Sequence, residues 1–187
     1  MAMRPSFDAL TQFAQANLDK RRFLHTLGVA HVALVLAELN GVNREKAATA
    51  ALLHDCAKQM NREALHHLLA SNGDRVEALE FDFPSVLHAP AGAMIARSKF
   101  GITDVEVLET IAHHPTGKGN SSPLLMVLMA ADYTEPGRCH DGVEAIRVLV
   151  RKNLREGLRL ILTKKIEHVQ SRGNKIHPRA ADMLADL

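Results

Sequence analysis

The amino-acid sequence predicts an all-α protein, and three observations support that fold class. Apolar residues recur at helical spacing over most of the 187 residues. Aromatic side chains, which favour strands, are scarce, since the chain has no Trp, one Tyr and six Phe. No segment shows the alternation of polar and apolar residues that is typical of a half-buried strand. The length is ordinary for one domain, so we expect a single helical bundle over residues 1–187 with its core at about 20–180.

Apolar periodicity, bounded by capping residues, glycine or proline, places the individual helices. We expect helices at residues 7–18, 21–39, 44–60, 62–70, 90–99, 104–114 and 124–131, one or two helices within 142–170, and a short one within 175–187. The predicted N-caps are Asn43, Asn61 and Thr103. The predicted breaks are Asn-Gly-Asp at 72–74 and Gly157 inside the segment 142–170.

Composition and charge exclude several functional classes. The formal net charge of +2 gives no general attraction to nucleic acid or to a membrane surface. The two cysteines, Cys56 and Cys139, form no paired motif, which is typical of a reducing cytoplasm. We see no signal-peptide core, and no apolar run that approaches the roughly 20 residues needed to span a membrane. We therefore expect a cytoplasmic protein that binds neither nucleic acid nor membrane.

The sharpest local signal is the pair His54-Asp55, which directly follows three apolar residues at 51–53. We expect both residues on a helix, about 100° apart, which is near enough for both to reach one ion. Burying an imidazole and a carboxylate is costly unless they are paired or bind a metal. Alone, the pair fits a structural hydrogen bond as well as a metal site. Lys58 shares the expected helix face and is a candidate to neutralise phosphate oxygens.

Further residues of metal-binding type lie within apolar segments or at their ends. They are His25, His88, His114 and Asp132. Several such groups in one core need a compensating cation, and a shared metal cluster accounts for all of them together. Histidine and carboxylate without thiolate suit Fe, Mn, Co or Zn. His113, next to His114, remains an alternative ligand at this point.

The other histidines are not expected to be ligands. His31 lies six residues after His25, about 240° around the helix, so the two cannot share one site. Five more histidines lie in polar sequence contexts and are expected to be exposed to solvent, namely His66, His67, His140, His168 and His177. Cys56 is expected to be a small core residue beside the site. We expect four basic residues to lie on a solvated helix face, namely Arg147, Arg151, Lys152 and Arg155.

Four sequence blocks around these residues resemble the HD-domain phosphohydrolase superfamily. The blocks are residues 22–30, 87–93, 114–117 and 131–138. The order His, His-Asp, His, His, Asp is similar to the superfamily's form with six ligands and two metals. Within it, the blocks look like the bacterial YqeK-type proteins, which are symmetrical bis(5'-nucleosyl)-tetraphosphatases. The resemblance covers roughly residues 20–180 and implies an all-helical HD domain around a central metal site.

The resemblance also implies an activity and a cofactor. The activity is the symmetrical hydrolysis of diadenosine tetraphosphate, and of related dinucleoside tetraphosphates, to two nucleoside diphosphates by a metal-activated water. Two divalent ions are implied, with Asp55 bridging them. The other ligands would be His25, His54 and Asp132 for the first ion, and His88 and His114 for the second. Iron is the metal that such proteins are thought to favour, with Mn, Co, Zn or Mg as alternatives.

Residue roles follow from the same resemblance and from the substrate's charge. Polyphosphate needs cations placed to meet it. The candidate catalytic residues are Asp55 and Lys58. The candidate substrate-binding residues are Arg22, Lys58, Thr116, Gly117, Tyr133 and Arg138, with Lys118 a weaker one. The loop 116–121 could offer backbone N–H groups to phosphate, and the ring of Tyr133 could stack on a base or simply pack.

Several points stay open at the level of the sequence. The resemblance favours His114 over His113 as a ligand, and it implies a homodimer. One alternative function is the hydrolysis of another nucleotide phosphate by an HD domain, such as a nucleoside monophosphate or a cyclic nucleotide. Another is a nucleotide-binding regulator with little turnover.

Overall fold

The computed structural model describes residues 5–71 and 78–187, and within these ranges it contains helices and no strand. The all-α prediction is therefore confirmed. The helices are α1 (Phe7–Asn17), α2 (Lys20–Leu39), α3 (Arg44–Leu53), α4 (Arg62–Ser71), α5 (Ala78–Phe81), α6 (His88–Phe100), α7 (Val105–His113), α8 (Pro123–Thr134), α9 (Val143–Lys152), α10 (Leu154–Ser171) and α11 (Pro178–Asp186), with a 3₁₀-helix at Pro84–Val86. The break predicted at 72–74 lies outside the described residues.

The largest departure from the predicted helix bounds is at the end of α3. The prediction continued this helix to about Met60, but it ends at Leu53. Beyond it the chain coils through tight turns, in which the Cys56 N–H donates to the Leu53 carbonyl and the Lys58 N–H to the Asp55 carbonyl. The pair at 54–55 therefore lies just past the helix end and not on a regular helical face.

Two helix starts also differ from prediction. Asp104, and not Thr103, caps α7, because its side chain accepts a hydrogen bond from the Val107 N–H. The two capping patterns overlap by one residue, and Asp is a stronger N-cap than Thr. Helix α6 begins at His88, two residues before the predicted start at Pro90. The predicted caps at residues 43 and 61 are confirmed by their side-chain hydrogen bonds.

The predicted interruption at Gly157 is wrong, because the break lies at Asn153, between α9 and α10. Gly157 belongs to the first turn of α10. A Cβ atom there would lie 2.4 Å from the Val150 side chain. This glycine therefore permits close packing of the two helices and does not end one of them.

Helix α8 lies at the centre of the bundle. All residues from Leu124 to Ala131 are buried, as the predicted apolar run requires. α8 packs on α2, α7 and α10, while α2 also packs along α3. A smaller apolar cluster under α4 and α6 includes Leu65, Leu87 and Met94. This arrangement brings the ends of α3, α7 and α8 to one region beside α2.

Helix α2 corrects one expectation drawn from the sequence. Among the described residues it is the one helix long and apolar enough to cross a membrane by length and composition, with 20 residues and a mean hydropathy of 1.4. A core helix passes the same test. Residues Val29, Ala33, Leu36 and Ala37 of α2 are fully buried within this bundle.

Candidate metal centre

The structure brings the six predicted ligands together around Asp55, and we call this group the metal cluster: His25, His54, Asp55, His88, His114 and Asp132. One oxygen of Asp55, Oδ2, lies 3.8 Å from His25 Nε2 and 3.6 Å from His54 Nε2. The other, Oδ1, lies 3.2 Å from His88 Nε2 and 3.7 Å from His114 Nε2. The carboxylate thus divides four histidines into two pairs, which is the arrangement that a bridging ligand needs.

Asp132 completes one side of the metal cluster from the last turn of α8. Its Oδ1 atom lies 3.3 Å from His25 Nε2. Apart from Asp132, the cluster contains two sets of three residues whose ligand atoms all lie within 4.8 Å of one another. The two sets share Asp55 and are completed by His25 and His54 in one case and by His88 and His114 in the other.

Three of the histidines are oriented in the same way, by a backbone carbonyl three residues earlier. The ring Nδ1 atoms lie at hydrogen-bonding distance from these oxygens: His54 from Ala51 (2.6 Å), His88 from Ser85 (3.0 Å) and His114 from Ile111 (2.9 Å). A carbonyl only accepts hydrogen bonds, so Nδ1 carries the proton and Nε2 keeps its lone pair. This is the tautomer that ligates a metal through Nε2.

The metal cluster also fits a metal in its unpaired atoms and in its chemistry. The Nε2 atoms of His25 and His54 are buried and have no hydrogen-bond partner among the described residues. Buried polar atoms in proteins are nearly always paired, so two such nitrogens facing one carboxylate fit a cation bound between them. Imidazole and carboxylate donors together suit a divalent ion of intermediate hardness.

Burial and neighbouring charges set the protonation states that a metal requires. Burial lowers the pKa of His54 and His114, and it lowers the pKa of His88 to about 4. Burial alone would raise the pKa of Asp55, but interactions with His54, His114 and His88 outweigh it and hold that pKa below its ordinary value. At neutral pH the rings of these three histidines are therefore neutral and the Asp55 carboxylate is ionised.

Two of the predicted cations contact the metal cluster directly. Arg22 Nη1 lies 2.7 Å from Asp55 Oδ2. Lys58 Nζ lies 3.0 Å from His88 Nε2 and 3.9 Å from Asp55 Oδ1. Both predicted positions therefore place positive charge beside the bridging carboxylate, although Lys58 reaches it from a turn and not from the expected helix face.

A third predicted cation, Arg138, and one cation that was not predicted, Lys165, lie on the side of the metal cluster that faces α8 and α10. Arg138 Nη2 lies 2.7 Å from Asp132 Oδ1, and its Nε donates to the Asp132 backbone carbonyl. Lys165 of α10 donates from Nζ to the Pro115 carbonyl at 2.9 Å, and burial lowers its pKa. No pattern in the sequence distinguishes Lys165, because it lies in an ordinary amphipathic helix beside another lysine.

The loop predicted to hold phosphate has its first N–H groups already occupied. The N–H groups of Thr116 and Gly117 both donate to the His113 carbonyl, at 3.2 and 2.7 Å. Gly117 adopts a left-handed conformation and packs so closely on Met183 that a Cβ atom would clash. Lys118 pairs with Glu109 at 2.8 Å, outside the metal cluster. These N–H groups are thus unavailable to a phosphate.

Tyr133 is half-buried against the core, and its ring centroid lies 4.4 Å from that of His140. Packing against the core and against His140 therefore accounts for much of the burial of the Tyr133 ring. His140 is itself half-buried and lies 3.2 Å from the Tyr133 carbonyl through Nε2, so the expectation of a solvated histidine was wrong here. His66 is also half-buried, beside the ring of Phe81. His31, His67 and His168 are exposed as expected.

A second buried group contradicts the assignment of His177 to solvent. His177 is buried, with its ring 4.6 Å from that of Phe83 and its Nε2 atom 3.6 Å from Glu80. Glu80 is also paired with Arg179. We call Glu80, His177 and Arg179 the ion-pair cluster. His113 lies at its edge, 3.4 Å from Arg179, which separates it from the metal cluster and leaves His114 as the residue facing Asp55.

Arg147 was also misassigned, since it is not on a solvated face. Its guanidinium donates to three backbone carbonyls, those of Thr134 (2.9 Å), Glu135 (2.7 Å) and Arg138 (2.7 Å). It therefore holds the turn after α8. Arg155 donates to the Asp186 carbonyl but is exposed, as are Arg151 and Lys152, in agreement with the expected solvated face.

Glu135 is a buried site residue that the sequence reasoning did not select. Its Oε1 atom lies 3.2 Å from His25 Nδ1. Cys56, in contrast, behaves as expected: burial raises the pKa of its thiol to about 12, and its sulfur faces the Gly92 carbonyl. A thiol that stays protonated is neither a nucleophile nor a ready metal ligand.

Comparison with known proteins now decides the family. A profile of the HD domain family matches residues 22–137, which is more than half of the chain. The chain belongs to the HD domain family. HD domains are metal-dependent, so this membership agrees with the chemistry of the metal cluster.

Relatives of this HD-domain protein share a name. The chain is 34% identical over 167 residues to "Bis(5'-nucleosyl)-tetraphosphatase, symmetrical" of Halalkalibacterium halodurans, covering 89% of each chain. It is 34% identical over 141 residues to the protein of the same name in Bacillus subtilis, covering 75% of each. The resemblance recognised in the sequence blocks is therefore confirmed.

A solved structure shares the whole fold of this HD-domain protein. It is the crystal structure of a "predicted HD superfamily hydrolase involved in NAD metabolism" from Clostridium acetobutylicum. The TM-score is 0.92 at 32% sequence identity, with 98% of this chain and 97% of the other covered.

Proposed function

We propose that this HD-domain protein hydrolyses dinucleoside tetraphosphates symmetrically, with diadenosine tetraphosphate as its main substrate. One water is consumed at the central phosphoanhydride bond, and two ADP are released. The observation that carries the proposal is the position of Asp55, whose two oxygens each face a separate pair of histidines. The names of the relatives supply the substrate class.

The chain's own residues would hold two divalent ions and orient them. Asp55 would bridge the ions, with His25, His54 and Asp132 on one side and His88 and His114 on the other. Bound there, such ions would activate a water for attack on phosphorus and neutralise charge on the phosphate oxygens. Because three ring Nδ1 atoms are fixed by backbone carbonyls, the imidazoles need little reorientation to ligate.

Positive side chains stand where a polyphosphate would approach the metal cluster. The side chains of Arg22, Lys58 and Arg138 are 20%, 33% and 39% exposed, so each reaches both the carboxylates and solvent. In that position they can meet the negative charge of the substrate as it enters. We assign them, with Lys165 as an additional cation, to phosphate binding. Thr116 and Gly117 have no part in this proposal, and Tyr133 remains a candidate for stacking on a base.

We further propose iron as the resident metal, a single domain over residues 1–187, a homodimer and a cytoplasmic location. Four imidazoles suit iron, manganese, cobalt or zinc better than magnesium, which prefers oxygen ligands. The domain proposal is supported by the continuous packing of α2, α3, α8 and α10.

The test is product analysis with metal quantification. Protein purified without oxygen is assayed for metal by mass spectrometry and incubated with diadenosine tetraphosphate, and the nucleotides are resolved by chromatography. We expect two metals per chain and ADP as the sole product. His25→Ala should abolish turnover, whereas His31→Ala, a matched change at an exposed histidine of the same helix, should not. AMP with ATP would refute symmetrical cleavage, and metal-loaded protein without turnover would refute the substrate.

A further inference from the structure

We propose that Glu135 is a positioning residue, which holds His25 in the orientation and tautomer needed for metal ligation. The inference rests on the metal site proposed above. Glu135 is only 4% exposed and directly follows α8. Its Oε1 atom lies 3.2 Å from His25 Nδ1, across 110 residues of sequence.

The partner of His25 differs in kind from the partners of the other three ring nitrogens in the metal cluster. Those face neutral backbone carbonyls, whereas His25 faces an ionisable carboxyl group. A carboxylate that accepts a hydrogen bond from Nδ1–H leaves the lone pair on Nε2, on the far side of the ring, and makes the imidazole a stronger ligand. The Nε2 atom then points to Asp132 at 3.3 Å and Asp55 at 3.8 Å.

Two glycines make room for the Glu135 side chain. Gly28 lies one helical turn after His25 on α2, and a Cβ atom there would approach Glu135 Oε2 to 2.7 Å. Glycine weakens a helix interior, so its presence at this position calls for a reason, and close approach of the carboxylate provides one. The N–H of Gly137 donates to the same Oε2 atom at 2.5 Å.

The backbone that carries Glu135 is itself held in place. Arg147 donates hydrogen bonds to the backbone carbonyls of Thr134, Glu135 and Arg138, which fixes the backbone position from which the Glu135 side chain extends. Within this turn Glu135 faces His25, and Arg138 lies 3.7 Å from Glu135 Oε1. The turn therefore presents the carboxylate of Glu135 to one ligand of the metal cluster.

The experiment compares metal affinity in Glu135→Gln and in a matched control. Co²⁺ is titrated into metal-free protein and its dissociation constant is measured by absorption and by competition with a chelator. Gln keeps the size of the side chain over Gly28 but removes its charge. The control is Glu80→Gln, which removes another buried carboxylate, 6% exposed, from the ion-pair cluster. We expect Glu135→Gln to weaken Co²⁺ binding by roughly 10- to 100-fold, and Glu80→Gln by less than twofold.

A second variant separates positioning from a merely structural role. Gly28→Ala should displace the Glu135 carboxylate and weaken Co²⁺ binding at least as much as Glu135→Gln does, in protein that circular dichroism shows to be folded at the temperature of the titration. At saturating Co²⁺, kcat of Glu135→Gln should return towards the wild-type value with KM unchanged.

The outcomes distinguish this inference from the function on which it rests. If folded Glu135→Gln binds Co²⁺ as tightly as the wild type, the role of Glu135 is refuted and the metal site stands. If the wild type binds no Co²⁺, the metal site itself is refuted.

Discussion

The two buried polar clusters of this protein contain the same residue types but are built in opposite ways. In the metal cluster, four imidazoles surround the carboxylate of Asp55, and the cations lie at a partly exposed rim. In the ion-pair cluster the cation is inside, since Arg179 is paired with Glu80 and its side chain is only 14% exposed.

The difference shows what makes a buried histidine a ligand. Arg179 pairs with Glu80, and Arg22 likewise pairs with Asp55, so a neighbouring cation is not what separates the two clusters. In the metal cluster, ring nitrogens with free lone pairs converge on an ionised carboxylate, and two of them, on His25 and His54, have no hydrogen-bond partner within the described chain. In the ion-pair cluster, by contrast, the lone pair of His177 Nδ1 accepts a hydrogen bond from the Arg179 backbone N–H at 3.3 Å, so it is not available to a metal.

The largest expected effect on activity comes from removing the bridge of the metal cluster. Asp55→Asn keeps the shape of the side chain but removes the charge that both halves share. We expect kcat/KM for diadenosine tetraphosphate to fall by about 10³-fold or more, because metal ions supply several kcal/mol of transition-state stabilisation. Metal content should fall below two per chain. Retention of a tenth of the activity would contradict the bridging role.

A smaller effect is expected from removing a cation at the rim. Lys58→Met keeps the apolar stem and removes the charge, so kcat/KM should fall by about 10- to 100-fold, the value of a hydrogen bond to a charged group. The metal content should not change. Lys118→Met is the matched control, because Lys118 pairs with Glu109 outside the metal cluster. Equal losses in the two variants would show that Lys58 has no special position.

The smallest effect on activity is expected in the ion-pair cluster. Glu80→Gln removes a buried anion that pairs with Arg179, so the free energy of unfolding in urea should fall by about 3 kcal/mol. At a temperature where the variant remains folded, kcat/KM should stay within twofold of the wild type. A large loss of activity with unchanged stability would reverse the distinction between the clusters.

The sequence by itself determined the helical class, most helix positions and the identity of the residues that meet at Asp55. These properties depend on local patterns, such as the apolar run that precedes Asp132 or the block around His88. Helix ends were harder to predict, as α3 shows, because a chain that stops at Leu53 and continues in tight turns has the same local composition as a helix.

Only the tertiary structure decided which polar residues support the metal cluster and which form a separate group. Glu135 reaches His25 across 110 residues, Lys165 reaches Pro115 across 50, and His177 is buried by Glu80 and Phe83. Local periodicity reports which face of a helix is apolar, but it does not report which distant segment covers that face. The partners of a buried charge are set by that packing, and the role of the charge is set by its partners.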